Sequence, residues 1–209
     1  NVTFYRPPRE VMFQNWCKKT PHEFIFSIKL WRRISHDKRL NECEAELRDF
    51  LRPLALLGPK RGPVLVQCPP FLRADTGLFR SFLELISAQV LHEGYRFVVE
   101  FRNKDWLQPE VISLLDLYKV GLCLTDMPRC VVVHPNDVSW VYIRRHGPFG
   151  TYRGGYTPEQ LQQDAEAISR WIQEGRDVYV YFNNDLEGHA VVNARQLQIL
   201  LQPGNAGEF

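Results

Sequence analysis

Val178–Asp185, VYVYFNND, continuing through LEGHAVVNARQL to Leu197, is the stretch on which the reading of the fold turns. Val178, Tyr179, Val180 and Tyr181 favour strands and no polar residue interrupts them. The run therefore predicts a strand buried on both faces, as in a parallel sheet. It stops at Phe182, Asn183, Asn184 and Asp185, and turns through Glu187 and Gly188. A helix follows with Ala190, Ala194, Leu197 and Leu201 on one stripe. Asn and Asp are poor strand residues, so packing did not select them at this position. The carboxyl ends of strands are where α/β sheets bind ligands. Turn formation is the other reading of the same residues, and the choice rests on how the other strands end.

The rest of the chain repeats this unit. Asn1–Tyr5 reads as the end of a strand, followed by a short helix around Val11, Met12 and Trp16 after Pro7 and Pro8. Glu23–Leu30 is the next strand, and a helix with Leu47, Phe50, Leu51, Leu54 and Leu57 follows, with Pro53 inside it. Val64–Gln67 is a strand stopped by Pro69 and Pro70. Asp75 or Thr76 caps a helix with Leu78, Phe79, Phe82, Leu83, Ile86 and Val90 on its buried side. Phe97–Glu100 is a strand, and Pro109 opens a helix that Gly121 ends. Leu122–Thr125 and Trp140–Arg144 are the next two strands. Thr157, Pro158 and Gln160 predict a capping box before a helix with Leu161, Ala165, Ile168 and Ile172. Strands separated by helices imply parallel pairing. No glycine-rich fingerprint follows any strand, which argues against a dinucleotide cofactor and for a TIM-type (β/α) parallel barrel. The seven strand signals fall one short of the eight such a barrel holds, so the first strand is expected to be missing if this is the whole polypeptide.

At or just past the strand ends stand Lys29, Gln67, Glu100 with Arg102, Asp126, Arg144 with His146, and Asn183, Asn184 and Asp185. Lys, Arg, Glu and Gln are not turn formers, so a shared ligand site at the carboxyl-terminal mouth is the expectation. Structural salt bridges between strand ends are the alternative. Lys29, Arg102 and Arg144 are cationic, with His36 and His146 near them in sequence, and the Arg fork matches phosphate or carboxylate. A small anionic molecule is the expected partner. Glu100 and His146 are the candidate catalytic acid and base. For Glu100, burial would raise the pKa and the nearby Arg102 would lower it. Mutual neutralisation of Glu100 and Arg102, and a purely structural hydrogen bond at His146, are the plain readings.

The 209 residues suit a single domain spanning 1–209. A net charge of +2 and a pI near 8.3 make no case from bulk charge for nucleic acid or a membrane. The WRRISHDKRL run at Trp31–Leu40 could be a short basic nucleic-acid patch, but as a loop after a strand it is read as lining the mouth. No apolar run is long enough to span a bilayer, and the opening residues do not resemble a signal peptide. Five scattered cysteines without a CxxC pair suit free thiols in a reducing cytoplasm, and Cys68 reads as a packed thiol. His36, Asp37, Glu100, Asp126, His146 and Asp185 are potential metal ligands, but none has the spacing of a metal motif. No metal or other cofactor is expected. The Tyr142–Tyr156 tract, with Pro148, Gly150, Gly154 and Gly155, suits a mobile loop over a site or an ordinary surface connection. Gly204–Phe209 reads as a frayed tail. Nothing in the sequence sets an oligomeric state.

NVTFYRPP, FSIKLWRRISHDKRL, GPVLVQCPP, VVEFRNKDW, YIRRHG and VYVYFNND with VVNARQL, in this order, cover nearly the whole chain. As a set they resemble the motifs of the YecE-like family, also called domain of unknown function 72. The resemblance implies a TIM-type barrel and no established activity. Relatives begin with a further strand and helix carrying a GTSGW-like motif that this chain does not show. Two function classes follow. One is an enzyme using Glu100 and His146 on a small phosphorylated or carboxylated substrate. The other is a binding protein for a nucleic acid or an anionic metabolite.

Overall fold

The computed structural model describes residues 2–202, apart from the side chains of 89–93. Asn1, the Val90 side chain and the tail Gly204–Phe209 lie outside that description. The chain divides into two compact units, Asn1–Gly121 and Leu122–Phe209. Both are α/β, and together they carry six strands among the described residues.

The first unit opens with two helices, α1 (Val2–Tyr5) and α2 (Glu10–Lys19). It continues through β1 (Phe26–Lys29), α3 (Glu44–Leu54), β2 (Arg61–Gln67), α4 (Thr76–Glu93), β3 (Phe97–Glu100) and α5 (Pro109–Leu117). β1 pairs with β2 and β2 with β3, both in parallel. Every residue of β3 is fully buried, Glu100 included. Leu47, Phe50, Leu51 and Leu54 form the buried stripe of α3. Pro53 falls in its last turn, where a tighter helical stretch, Ala55–Lys60, takes over. Asp75 caps α4, its carboxylate accepting from the Leu78 N–H at 2.9 Å.

The opening segment differs from its sequence reading. Val2–Tyr5 is helical, although Val, Thr, Phe and Tyr all favour strands. Contacts decide here: Phe4 is buried against the His36 ring at 5.0 Å, and the Thr3 hydroxyl donates to the Lys29 carbonyl at 2.8 Å. A second difference is the end of α5. The left-handed residue that stops it is Lys119, at φ 54°, while Gly121 already begins the next strand.

That strand is β4 (Gly121–Thr125), and the second unit continues with β5 (Trp140–Arg145), α6 (Pro158–Gln173), β6 (Asp177–Phe182) and α7 (His189–Leu200). β4, β5 and β6 pair consecutively, again in parallel. The capping box forms as the sequence predicts: the Thr157 hydroxyl accepts from the Gln160 N–H, and the Gln160 side chain from the Thr157 N–H. On α6, Leu161, Ala165 and Ile168 are buried, but Ile172 is half exposed near the helix end. β6 departs from the expectation of burial on both faces. Val178–Phe182 are all partly accessible and Asp177 is exposed, because β5 is the strand's one β-partner among the described residues of this unit. Its β-branched and aromatic residues reflect two faces that are each partly covered.

Side-chain alternation sorts β5 into two faces. Arg145 pairs with Asp164 of α6, so Ile143 and Val141 face that helix with it. Tyr142 and Arg144 face the other way. The parallel register places Cys123 and Tyr179 beside Tyr142, and Thr125 and Tyr181 beside Arg144. The Tyr142 ring stacks on Tyr181 at 5.0 Å.

Candidate functional site

Each residue singled out at a strand end lies at, or within three residues of, a strand's carboxyl end; His36 sits in the loop after β1. In the first unit the register sets Lys29 beside Leu65, Leu65 beside Val98, and Gln67 beside Glu100. These five side chains share one face of the sheet. The Lys29 ammonium donates to Gln67 Oε1 at 2.7 Å and lies 4.0 Å from the centre of the Phe4 ring. Glu100 Oε1 is 2.6 Å from Arg102 Nη2, with the Glu100 side chain fully buried and that of Arg102 9% exposed. The carboxylate and the guanidinium therefore neutralise each other, as the plain reading of this pair has it.

His36 is half-buried, with its Nδ1 2.9 Å from the Ser35 hydroxyl. Burial first, then the charges of Lys29 and Arg32, hold its pKa below 6.5 against the opposing pull of Asp37. The basic run around it is largely paired. Arg32 meets Asp37, while Arg33 and Lys38 both meet Glu46. The hydrogen bond from Lys38 is the chief reason that the Glu46 carboxyl falls to about 2. Three of the four Lys and Arg side chains in the run thus face acids of their own unit. Such a surface is poorly suited to collecting phosphates along a nucleic acid.

The second unit builds a tighter constellation. Thr125 ends β4, and an isolated antiparallel bridge from Thr125 to Val132 closes the loop that carries Asp126. Asp126 Oδ1 accepts from the His146 N–H at 2.8 Å and lies 3.3 Å from His146 Nδ1. The Thr125 hydroxyl is also 3.3 Å from that nitrogen. The Tyr156 hydroxyl donates to Asp126 Oδ2 and accepts from the Gly147 N–H at 2.7 Å. Burial works to raise the Asp126 carboxyl, but the hydrogen bonds from His146 and Tyr156 outweigh it and hold the pKa below the ordinary value. Burial and the hydrogen bond to Asp126 push the Tyr156 phenol up. An ionised Asp126 can only accept, so it favours the tautomer with hydrogen on Nδ1 and leaves Nε2 as the basic nitrogen.

His146 is fully buried, and the Tyr152 ring meets it edge-on at 5.4 Å. The tract that follows is tied down along its length. Tyr152 N–H donates to the His146 carbonyl at 2.7 Å, Asn184 to the Gly154 carbonyl at 2.8 Å, and Tyr156 N–H to Asn193 at 3.1 Å. Gly147, at φ 95°, leaves no room for a Cβ, which would stand 2.4 Å from the Arg153 carbonyl oxygen. A Cβ at Gly150 would lie 2.2 Å from Pro128. These contacts fit the tract closely against its own unit.

Arg144 is 7% exposed, on the strand face that also carries Thr125 and Tyr181. Asn184 is buried with both amide hydrogens donated, to Gly154 and Asn193. Its Oδ1, like that of Asn183, accepts no hydrogen bond from the described residues. Asp185 is exposed and its carbonyl accepts from Gly188 in the following turn. Among the described residues no cluster of three His, Cys, Asp or Glu side chains could hold a metal ion. Tyr156 carries no motif signal, since its contact with Asp126 crosses 30 residues, and Asn193, although it stands in VVNARQL, is not singled out there because its contact with Tyr156 crosses 37.

A model of the family described as "Protein of unknown function DUF72" matches residues 1–207. The UPF0759 protein YunF of Bacillus subtilis is 23% identical over 90% of this chain and 77% of its own length. The UPF0759 protein YecE of Escherichia coli K12 is 30% identical over a shorter stretch, 33% of this chain and 25% of YecE. Among solved structures, a DUF72 family protein of Enterococcus faecalis V583 matches 96% of this chain and 82% of its own with a TM-score of 0.84 and 22% identity. A DUF72 family protein of Thermotoga maritima matches 95% and 82%, with a TM-score of 0.81 and 23% identity. At these identities the likeness is one of fold.

Proposed function

The chain belongs to the family described as protein of unknown function DUF72, and from that premise we propose an enzyme that moves a proton on a small anionic substrate. His146 is the transferring group. The observation that carries this is the Asp126 carboxylate, held below its ordinary pKa and aligned on both the backbone N–H and Nδ1 of His146. A base needs an orienting partner to fix its tautomer and to stabilise the imidazolium it becomes. Asp126 supplies both. The proton leaves the substrate for Nε2, and the new positive charge is offset by Asp126. Glu100, the other candidate acid or base, suits the role less, because Arg102 already neutralises it.

Arg144 is the anion anchor of this reading. It precedes His146 by two residues, so an extended backbone separates them by roughly 7 Å, the reach of a small metabolite. A phosphate or carboxylate on Arg144 would place a neighbouring C–H or O–H near the imidazole. Tyr152 must swing aside to admit it. The reading keeps the TIM-type (β/α) barrel as the finer fold, supported by parallel strand-then-helix repeats in each unit. It keeps a cytoplasmic setting, supported by five cysteines of which none forms a disulfide. No helix among the described residues is long and apolar enough to cross a membrane.

The test is proton exchange in D2O, followed by NMR across a panel of phosphorylated and carboxylated metabolites. At least one compound should exchange with the wild type, and His146→Gln should abolish that exchange. Arg144→Ala should weaken binding of the same compound about 10- to 100-fold, the equivalent of one lost charge-assisted contact. Exchange that survives in His146→Gln would overturn the assignment.

A further inference from the structure

In the first unit an unbroken series of ring and cation contacts runs outward from the strand ends. Lys29, bonded to Gln67, lies over Phe4. The Phe4 ring meets His36 edge-on at 5.0 Å, and His36 meets Phe71 edge-on at 6.5 Å. The Arg39 guanidinium carbon lies 5.5 Å from the centre of the Phe71 ring. Phe71 closes the series and remains 59% exposed.

A lone exposed phenylalanine needs no explanation. This one is held outward by a fixed loop. The neighbouring Leu72 is buried, its N–H donates to the Pro69 carbonyl at 3.0 Å, and its carbonyl accepts from the Trp106 indole at 2.8 Å. Arg39 is held in place at some cost. Arg39, Leu40 and Glu42 all have left-handed φ values of 54°, 69° and 42°. Such a backbone is unfavourable for any residue but glycine. The segment is fixed by the buried Leu40 side chain and by the Leu40 N–H, which donates to the Ile34 carbonyl at 2.9 Å. Backbone strain of this kind is found at ligand clamps. Here it sets a cation against an open aromatic face.

We propose that Phe71, Arg39, His36 and Lys29 form a binding site for a planar aromatic anion of the mononucleotide class. The ring stacks on Phe71 beside Arg39, and the anionic group lies toward His36 and Lys29. Stacking on an exposed ring tolerates any base, while the cations select a charged ligand over a neutral one. None of these side chains takes part in the proton-transfer assignment, so the two readings stand or fall separately.

Calorimetric titration of the full chain with AMP, adenosine, inorganic phosphate and a single-stranded oligothymidylate tests it. AMP should bind more tightly than adenosine or phosphate. Phe71→Ala should weaken AMP about tenfold or more and leave phosphate unchanged, and Phe71→Tyr should restore AMP binding. Arg39→Ala should weaken AMP and adenosine alike, and Lys29→Met should weaken AMP more than adenosine. Equal affinity for AMP and phosphate, or AMP binding unchanged in Phe71→Ala, would overturn the proposal. So would an affinity for oligothymidylate that far exceeds that for AMP and grows with strand length, since the surface would then serve a nucleic-acid strand.

Discussion

Removing the Arg102 guanidinium leaves the Glu100 carboxylate buried beside the space its ion-pair partner filled. Breaking a buried pair from one side costs about 3–5 kcal/mol, mostly the penalty of stranding the other charge. Arg102→Met should therefore lower the urea midpoint steeply. The double variant Glu100→Gln with Arg102→Met should recover part of the loss, because the stranded charge is gone. A single variant within about 0.5 kcal/mol of wild type would show that the pair carries no such weight. At this scale the sequence was informative about location and weak on partnership. Glu100 and Arg102 stand two residues apart, so their pairing could be weighed in advance. Asp126 and His146 are twenty residues apart, and Tyr156 thirty from Asp126, and no spacing rule links them. The partners of Asn184 were hidden in the same way: Gly154 and Asn193, which take its hydrogens, are 30 and 9 residues away.

Helix ends offer two opposed changes of stability. Thr157→Ala removes the capping hydroxyl of α6 and should cost about 1 kcal/mol. Lys119→Gly relieves the left-handed residue after α5 and should add about 0.5–1 kcal/mol. For a chain of this size those energies correspond to melting shifts of about 2–4 °C per kcal/mol, downward for the first and upward for the second. Calorimetry reads both, and a lower melting point for Lys119→Gly would contradict the strain argument. The elements that the sequence revealed best combine period with punctuation. β2 and β5 are short apolar runs stopped near Pro69 and Gly147, and α6 has its cap, its proline and, after its last turn, Gly175 at φ 80°. Val2–Tyr5 has propensity without punctuation, and tertiary contacts reversed it. Lys119 marks the converse case, a non-glycine residue at a position where sequence rules look for glycine.

Acid should weaken the whole molecule through carboxylates in both units. Glu46 in the first and Asp126 in the second have folded pKa values below their ordinary ones. A depressed carboxyl contributes stability above its unfolded pKa and loses it as pH falls toward the folded value. For Glu46 the loss runs from about 4.3 down to about 2, and for Asp126 it begins near 3.9. Urea midpoints should hold steady from pH 7 to about 5 and then decline. Glu46→Gln should show a shallower decline than wild type, and parallel curves would remove Glu46 from the account. The parallel β/α organisation of each unit was legible from the alternation of strand and helix signals. The division into two compact units was not. No shift of composition or linker near Gly121 marks it.

The two arginines of β5 have a consequence for how this gene can change over time. Arg145 faces helix α6 and its Asp164, while Arg144 faces the opposite side with Thr125 and Tyr181. Loss of one codon anywhere from Trp140 to Ile143 would rotate every later residue of the strand to the other face. The arginine in the ion pair and the arginine beside Tyr181 would exchange places, yet the composition would differ by only one amino acid. Substitutions along β5 can be gradual, but length changes there cannot. Inherited insertions and deletions in this half of the molecule should therefore be confined to its connecting loops.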